Sequence, residues 1–190
     1  MKNIEFTKGN WEEHFKYAYS NRFDVEPVFV QEDDCIVNRR NDKMRDGFEY
    51  NTIMLKEMYG KGTKMWFTSS FESFGAPLFT ITDKIKTDKD GKWRYGPCYE
   101  IVIWEKGINV WYMYEEEGKL KWYRVMSLDF PLEVNKKHEL YMELKDKYIR
   151  FGVGDKIAEV RAENLAEKVY VGVTGCENIN RLYSLKIETE

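Results

Sequence analysis

From about residue 25 onward, short runs rich in Val, Ile, Phe, Tyr, Trp and Thr alternate with polar residues. They are punctuated by Gly, Asp-Gly and Asn-rich breaks. Period-two alternation between turn signals is the signature of consecutive strands. It predicts strands at 26–31, 34–38, 50–57, 64–72, 77–82, 99–105, 108–114, 120–126, 138–145, 148–153, 157–160, 168–174 and 182–188. That many strands in 190 residues require a two-sheet sandwich or a barrel. Helical spacing is scarce. Trp11, Phe15 and Tyr19 recur every fourth residue, and Ala162 to Lys168 holds good helix formers over less than two turns; both predict short decorations at an edge. Asp83 to Pro97 has no pattern and reads as a long loop, either solvated or covering a site.

Composition narrows the classes. With 30 Lys and Arg against 33 Asp and Glu, the formal net charge is -3, which lacks the basic footprint of a nucleic-acid binder. The one basic cluster, Asn38 to Arg45, is short and isolated and reads as a solvated loop. The length suits a single domain over 1–190. No run approaches the apolar length of a membrane span, and Met1 to Trp11 is mixed rather than signal-like. Cys35, Cys98 and Cys176 are odd in number and widely spaced. A reducing, cytoplasmic setting without a disulfide framework is therefore expected.

One hairpin carries the functional argument. Tyr99 to Glu105 and Ile108 to Tyr114 flank Lys106-Gly107, which reads as a two-residue turn with Gly supplying the positive φ. In that register Glu105 faces Ile108 and Glu100 faces Met113. Alternation sends Ile101, Ile103, Ile108, Val110 and Tyr112 to one face, suited to a core. Glu100, Val102, Trp104, Asn109, Trp111 and Met113 go to the other. Indoles beside carboxylate and amide groups suit a pyranose: its C–H patch stacks on an aromatic face and its hydroxyls bond to planar polar groups. The alternative is that a loop such as 83–97 covers Trp104 and Trp111, which then fill a second small core. A one-residue slip would exchange the two faces. In the following strand Leu120, Trp122, Arg124 and Met126 alternate with Lys121, Tyr123, Val125 and Ser127. Trp122 and Arg124 are the pair expected to join the indole surface. Near the C-terminus, Glu177, Asn180 and Arg181 sit in a polar turn that either reaches the ligand from the rim or pins the last strand.

Several stretches in order, Phe74-Gly75-Ala76-Pro77, Tyr99 to Val102 with Gly107 to Trp111, Phe130-Pro131-Leu132 before Lys136-Lys137-His138, and Gly175-Cys176-Glu177 to Leu182-Tyr183, resemble the concanavalin A-like lectin and glucanase superfamily. The likeness is greatest to its small bacterial YesU-like members and spans roughly residues 25 to 188. The resemblance implies an all-β jelly-roll sandwich of two antiparallel sheets whose concave sheet binds or cleaves glycans. Glucan-cleaving members carry Glu-x-Asp-x-x-Glu or a shorter variant on one strand. The matching stretch here runs from Glu100 to Glu105 with Val102 in place of the aspartate. Residues five apart on a regular strand point to opposite faces, so Glu100 and Glu105 act together only across a bulge.

Other chemistry finds little support. His14 and His138 are the only histidines, and the cysteines lack zinc spacing. Nucleotide-binding glycine loops and a nucleophile elbow are absent. Cys98 or Cys176 with His138 would make a thiol–imidazole pair only if the fold joined them. Asp83, Asp88 and Asp90 are interleaved with Lys84, Lys86 and Lys89, which disfavours structural calcium; no cofactor or metal is expected. The expected partner is an oligosaccharide or polysaccharide fragment, with no nucleic acid or membrane. Glu100 is the candidate acid, base or acceptor, and Trp104, Asn109, Trp111, Trp122, Arg124 and Arg181 are the candidate ligand contacts. Whether the chain binds only, or cleaves as a glycoside hydrolase or lyase, stays open, as does monomer against homodimer. The rival expectation is a non-catalytic interaction protein that buries the same aromatic face in a homodimer.

Overall fold

The computed structural model describes residues 1–21, 26–38 and 50–189; Arg39 to Arg45 of the basic cluster lie outside them. In chain order the elements are β1 (Lys2–Glu5), α1 (Trp11–His14), β2 (Phe15–Ser20), β3 (Phe29–Gln31), β4 (Ile36–Asn38), β5 (Tyr50–Gly60) and β6 (Lys64–Phe71). There follow β7 (Leu78–Thr82), β8 (Ile85–Thr87), β9 (Trp93–Tyr95), β10 (Cys98–Trp104), β11 (Gly107–Glu116) and β12 (Lys119–Asp129). The chain closes with β13 (His138–Lys145), β14 (Tyr148–Val153), β15 (Lys156–Arg161), β16 (Lys168–Cys176) and β17 (Asn180–Glu188). An eight-stranded sheet runs β15-β14-β13-β6-β17-β4-β3 with β1 added on β17, and a nine-stranded sheet runs β12-β11-β10-β7-β16-β5-β2-β9-β8. Among the described residues every pairing is antiparallel except β2 with β9.

Alternation built the layers. Inward residues of both sheets, among them Phe67, Met142, Phe151 and Leu185 from one and Ile53, Phe79, Ile101 and Val173 from the other, meet in one buried cluster. That is the core of a sandwich. A second, smaller cluster lies on the outer face of the nine-stranded sheet. It joins Ala18, Tyr50, Met54, Ala76, Leu78, Tyr95, Cys98, Val102, Met113 and Cys176.

Three expectations are corrected. Among the described residues only Trp11–His14 is helical; Phe15–Ser20 is a strand, because its backbone groups pair with β5 and β9, and tertiary pairing outweighs a four-residue period. Residues 162–167 are turns rather than helix. The segment 83–97 is not structureless, since β8 and β9 form a small hairpin that adds β9 to the edge of β2. Within it Asp88 accepts the backbone N–H groups of Asp90 and Lys92 and is bridged by Arg94 at 2.8 Å. That carboxylate holds a turn.

The hairpin of β10 and β11 forms two residues away from its expected register. Glu100 faces Trp111, Val102 faces Asn109, and Trp104 faces Gly107. The chain reverses over Glu105-Lys106, and the positive φ, +119°, falls on Gly107. A β-carbon there would lie 2.1 Å from the Leu128 carbonyl oxygen, so only glycine lets β12 close against the turn. A shift of two residues preserves parity, so both faces keep their membership.

Candidate functional site

Glu100, Val102 and Trp104 of β10 and Asn109 and Trp111 of β11 line one cavity of about 310 Å³, together with Trp122, Tyr50, Ala76, Leu78, Cys176 and Glu177. This is the face that alternation separated from the core. Its floor is apolar and its walls carry three indoles, two carboxylates and one amide. The loop-cover alternative holds in part: Tyr95 of β9 is fully buried in the small outer core beside Val102 and Met113, while Trp104, Trp111 and Trp93 pack on its margin. Trp104 and Trp111 are only partly buried and both line the cavity, so the cluster supports the cavity instead of filling it.

Trp122 reaches the cavity because of a β-bulge. The β11–β12 ladder pairs Val110 with Met126 but Trp111 with Arg124, leaving Val125 extra. One inserted residue reverses the phase of a strand. Met126 and Leu128 therefore pack on the main core, while Leu120 packs on the outer cluster and Trp122 lines the cavity. Arg124 is exposed, with its guanidinium carbon 6.0 Å from the Trp111 ring centroid; Lys106 Nζ stands 5.4 Å from that of Trp104. Both cations sit at the rim on indole faces.

Glu100 is buried, with its carboxylate accepting the Tyr50 hydroxyl and Cys98 Sγ 3.8 Å away. Behind it runs a buried chain of hydroxyls. Thr80 lies 2.7 Å from Thr174, Thr174 lies 2.8 Å from Thr52, and Thr52 lies 2.9 Å from Tyr95, which bonds in turn to Tyr50. Burial first, and the Glu100 charge second, push the Tyr50 phenol well above its ordinary pKa. It therefore stays a donor. Asn109 Oδ1 lies 3.0 Å from Ser127 Oγ, whose single proton it shares with Asp129 Oδ1 at 2.7 Å. Among the described residues, Trp104 Nε1 is a buried donor without a partner.

Not every candidate converges. Arg181 lies on β17 in the other sheet, 3.1 Å from Glu72 and 3.7 Å from Glu32; it does not line the cavity. Glu105 occupies the hairpin turn and is likewise outside the lining. No bulge within β10 brings it round to Glu100. His138 stacks on Phe71 in the eight-stranded sheet, one layer away from Cys98 and Cys176. The cavity residues missed from the sequence are Tyr50, Ala76, Leu78 and Cys176, which arrive from β5, the loop before β7, β7 and β16. Glu177, expected either at the rim or in a turn that pins the last strand, sits in a hydrogen-bonded turn and also lines the cavity.

No protein-family model and no curated relative matches the chain in sequence. Solved structures do match it in shape. A Bacteroides ovatus glycoside hydrolase family 16 endo-glucanase superposes with a TM-score of 0.62 at 10% identity, covering 98% of this chain and 99% of that one. The Bacillus licheniformis beta-glucanase gives 0.61 at 13% identity, covering 100% and 97%. The fold is the concanavalin A-like jelly roll. The carbohydrate-binding module CBM66 from Bacillus subtilis shares this jelly roll, with a TM-score of 0.57 at 12% identity over 90% of this chain and 96% of the module. Two of these structures are glucanases and the third is a carbohydrate-binding module, so among those proteins one jelly roll carries both cleavage and binding of carbohydrate.

Proposed function

We propose that the protein binds a short stretch or an end of an oligosaccharide in the cavity on the concave side of the nine-stranded sheet. The observation that carries this reading is the convergence of Trp104, Trp111 and Trp122 with Glu100 and Asn109 around one cavity over an apolar floor. The indoles stack on sugar rings, Asn109 and Glu100 bond to hydroxyls, and Arg124 closes the rim above Trp111. A volume of about 310 Å³ lies at the small end of ligand pockets, roughly 300–1,000 Å³. One or two sugar residues fit better than a long run. Glu100 is the acceptor that orients them. In this reading residues 1–190 act as one cytoplasmic domain akin to the YesU-like members, and the buried thiols of Cys35, Cys98 and Cys176 suit that compartment.

Tryptophan fluorescence titrated with plant-wall and storage oligosaccharides tests the reading. Binding should quench or blue-shift the emission, and Trp111→Ala should weaken it about tenfold, roughly 1.4 kcal/mol. An unresponsive protein, or a Trp111→Ala variant with unchanged affinity, refutes it. The homodimer reading draws on the edge strand β12, where Trp122, Tyr123 and Val125 are 46%, 52% and 36% exposed. Light scattering separates the two: a stable dimer indifferent to every glycan supports the second reading and removes the first.

A further inference from the structure

Glu177 is a carboxylate in a costly place. It opens the turn between β16 and β17 with φ at 64°, a left-handed conformation that glycine or asparagine takes more readily. The surroundings enforce it. Asn38 Nδ2 donates to the Asn178 carbonyl at 3.1 Å, and Asn38 Oδ1 accepts the Asn180 N–H at 2.6 Å. Asn180 Nδ2 donates to the carbonyls of Cys176 and Asn178 at 2.8 and 2.7 Å, and Ala76 N–H holds the Cys176 carbonyl at 3.0 Å. Asn38 and Asn180 are fully buried, so the turn presents Glu177 to the cavity as a rigid feature.

The chemistry around that carboxylate is one-sided. Glu177 shares the cavity wall with Trp104, Trp111 and Trp122, and the described lining residues include no Lys, Arg or His. Burial raises its pKa above the ordinary value, and among the described residues of the cavity wall there is no cation to hold it ionised. The indole faces nearby attract positive charge, as Lys106 on Trp104 and Arg124 on Trp111 already show. A half-buried carboxylate beside stacking indoles gains most from a ligand that brings a cation of its own and loses most with an anionic one.

Resting on the carbohydrate reading above, we propose that the cavity selects an amino sugar with a free ammonium group, its ring stacked on an indole and its ammonium paired with Glu177. Uronic acids are then disfavoured, and neutral sugars bind more weakly. The ammonium supplies a counter-charge that none of the described lining residues carries.

Three oligosaccharides with the same β-1,4-linked backbone isolate the effect, since glucosamine, N-acetylglucosamine and glucose oligomers differ only at carbon 2. Calorimetric titration at equal chain length, with an oligogalacturonate as the anionic arm, should rank glucosamine at least tenfold tighter than glucose, and the galacturonate weakest. Glu177→Gln preserves shape and should abolish the glucosamine advantage, bringing the affinities for glucosamine and glucose oligomers to within about twofold of each other. The advantage should also shrink as falling pH protonates Glu177. Equal affinities along the neutral and cationic series, tighter binding of galacturonate, or an advantage that survives Glu177→Gln overturns the proposal and leaves the carbohydrate reading intact. Failure of all four oligomers to bind overturns both.

Discussion

Replacing Tyr50 by Phe removes one oxygen from a side chain that the outer cluster encloses almost completely, at 6% exposure. The ring volume stays, so no cavity opens, and the change removes only the hydroxyl that donates to the Glu100 carboxylate and bonds to Tyr95. A hydrogen bond to a charged group contributes about 1.5–3 kcal/mol, and the low local dielectric keeps a buried carboxylate at the upper part of that range. For a chain of 190 residues this corresponds to a fall in Tm of roughly 3–12 °C. Urea denaturation at neutral pH should show a lower midpoint at constant slope, the mark of lost stability without a changed denatured state. The same substitution in a Glu100→Ala background should cost less by at least about 1 kcal/mol, because the acceptor is gone. A Tyr50→Phe loss below about 0.5 kcal/mol, or an equal loss in both backgrounds, would show that the hydroxyl chain does not hold Glu100.

Other consequences can be checked on the same material. Gly107→Ala should cost about 3 kcal/mol or more, since its β-carbon would meet the Leu128 carbonyl at 2.1 Å. Gly118→Ala, also at positive φ but with nothing within 4 Å, should cost only about 1–2 kcal/mol; paired thermal melts compare them. Glu177→Gln should raise Tm at pH 7 but not at pH 4. A raised folded pKa means stability that is complete below the ordinary carboxylate value of 4.5 and lost as pH rises through the folded value. Equal shifts at both pH values would contradict this. Alkaline unfolding should begin near pH 10 and deepen towards pH 12. Burial pushes Tyr99 and Tyr141 up to about 12 and Tyr50 and Tyr95 well above 10.0, so the unfolded chain ionises first. A flat stability curve between pH 9 and 12 would refute that assignment.

Much of the architecture was legible because it is local. Alternation along β10 and β11 sorted Ile101, Ile103, Ile108 and Val110 to the core and Glu100, Trp104, Asn109 and Trp111 to the cavity. Side-chain parity depends only on the pleat, so even a register displaced by two residues left the faces unchanged. Local pattern failed where a distant partner decided the matter. Phe15–Ser20 became a strand because β5 and β9 offered hydrogen bonds, and the short strands β8 and β9 are too brief to announce themselves.

Tertiary structure alone settled which residues share the site. The phase of β12 turns on a bulge opposite Val110 and Trp111, which no alternation reveals, and it sends Trp122 inward while leaving Arg124 on the rim. Arg181, a neighbour of Glu177 in sequence, belongs to the opposite sheet and pairs with Glu72 and Glu32. Tyr50, Leu78, Cys176 and Glu177 converge on Glu100 from strands and turns remote in sequence. The sequence by itself determined which side chains face outward, because that is a property of each strand's own pleat. Which of them meet around one cavity was decided by the order of strands across the sheet, because long-range pairing brings together residues that no sequence period relates.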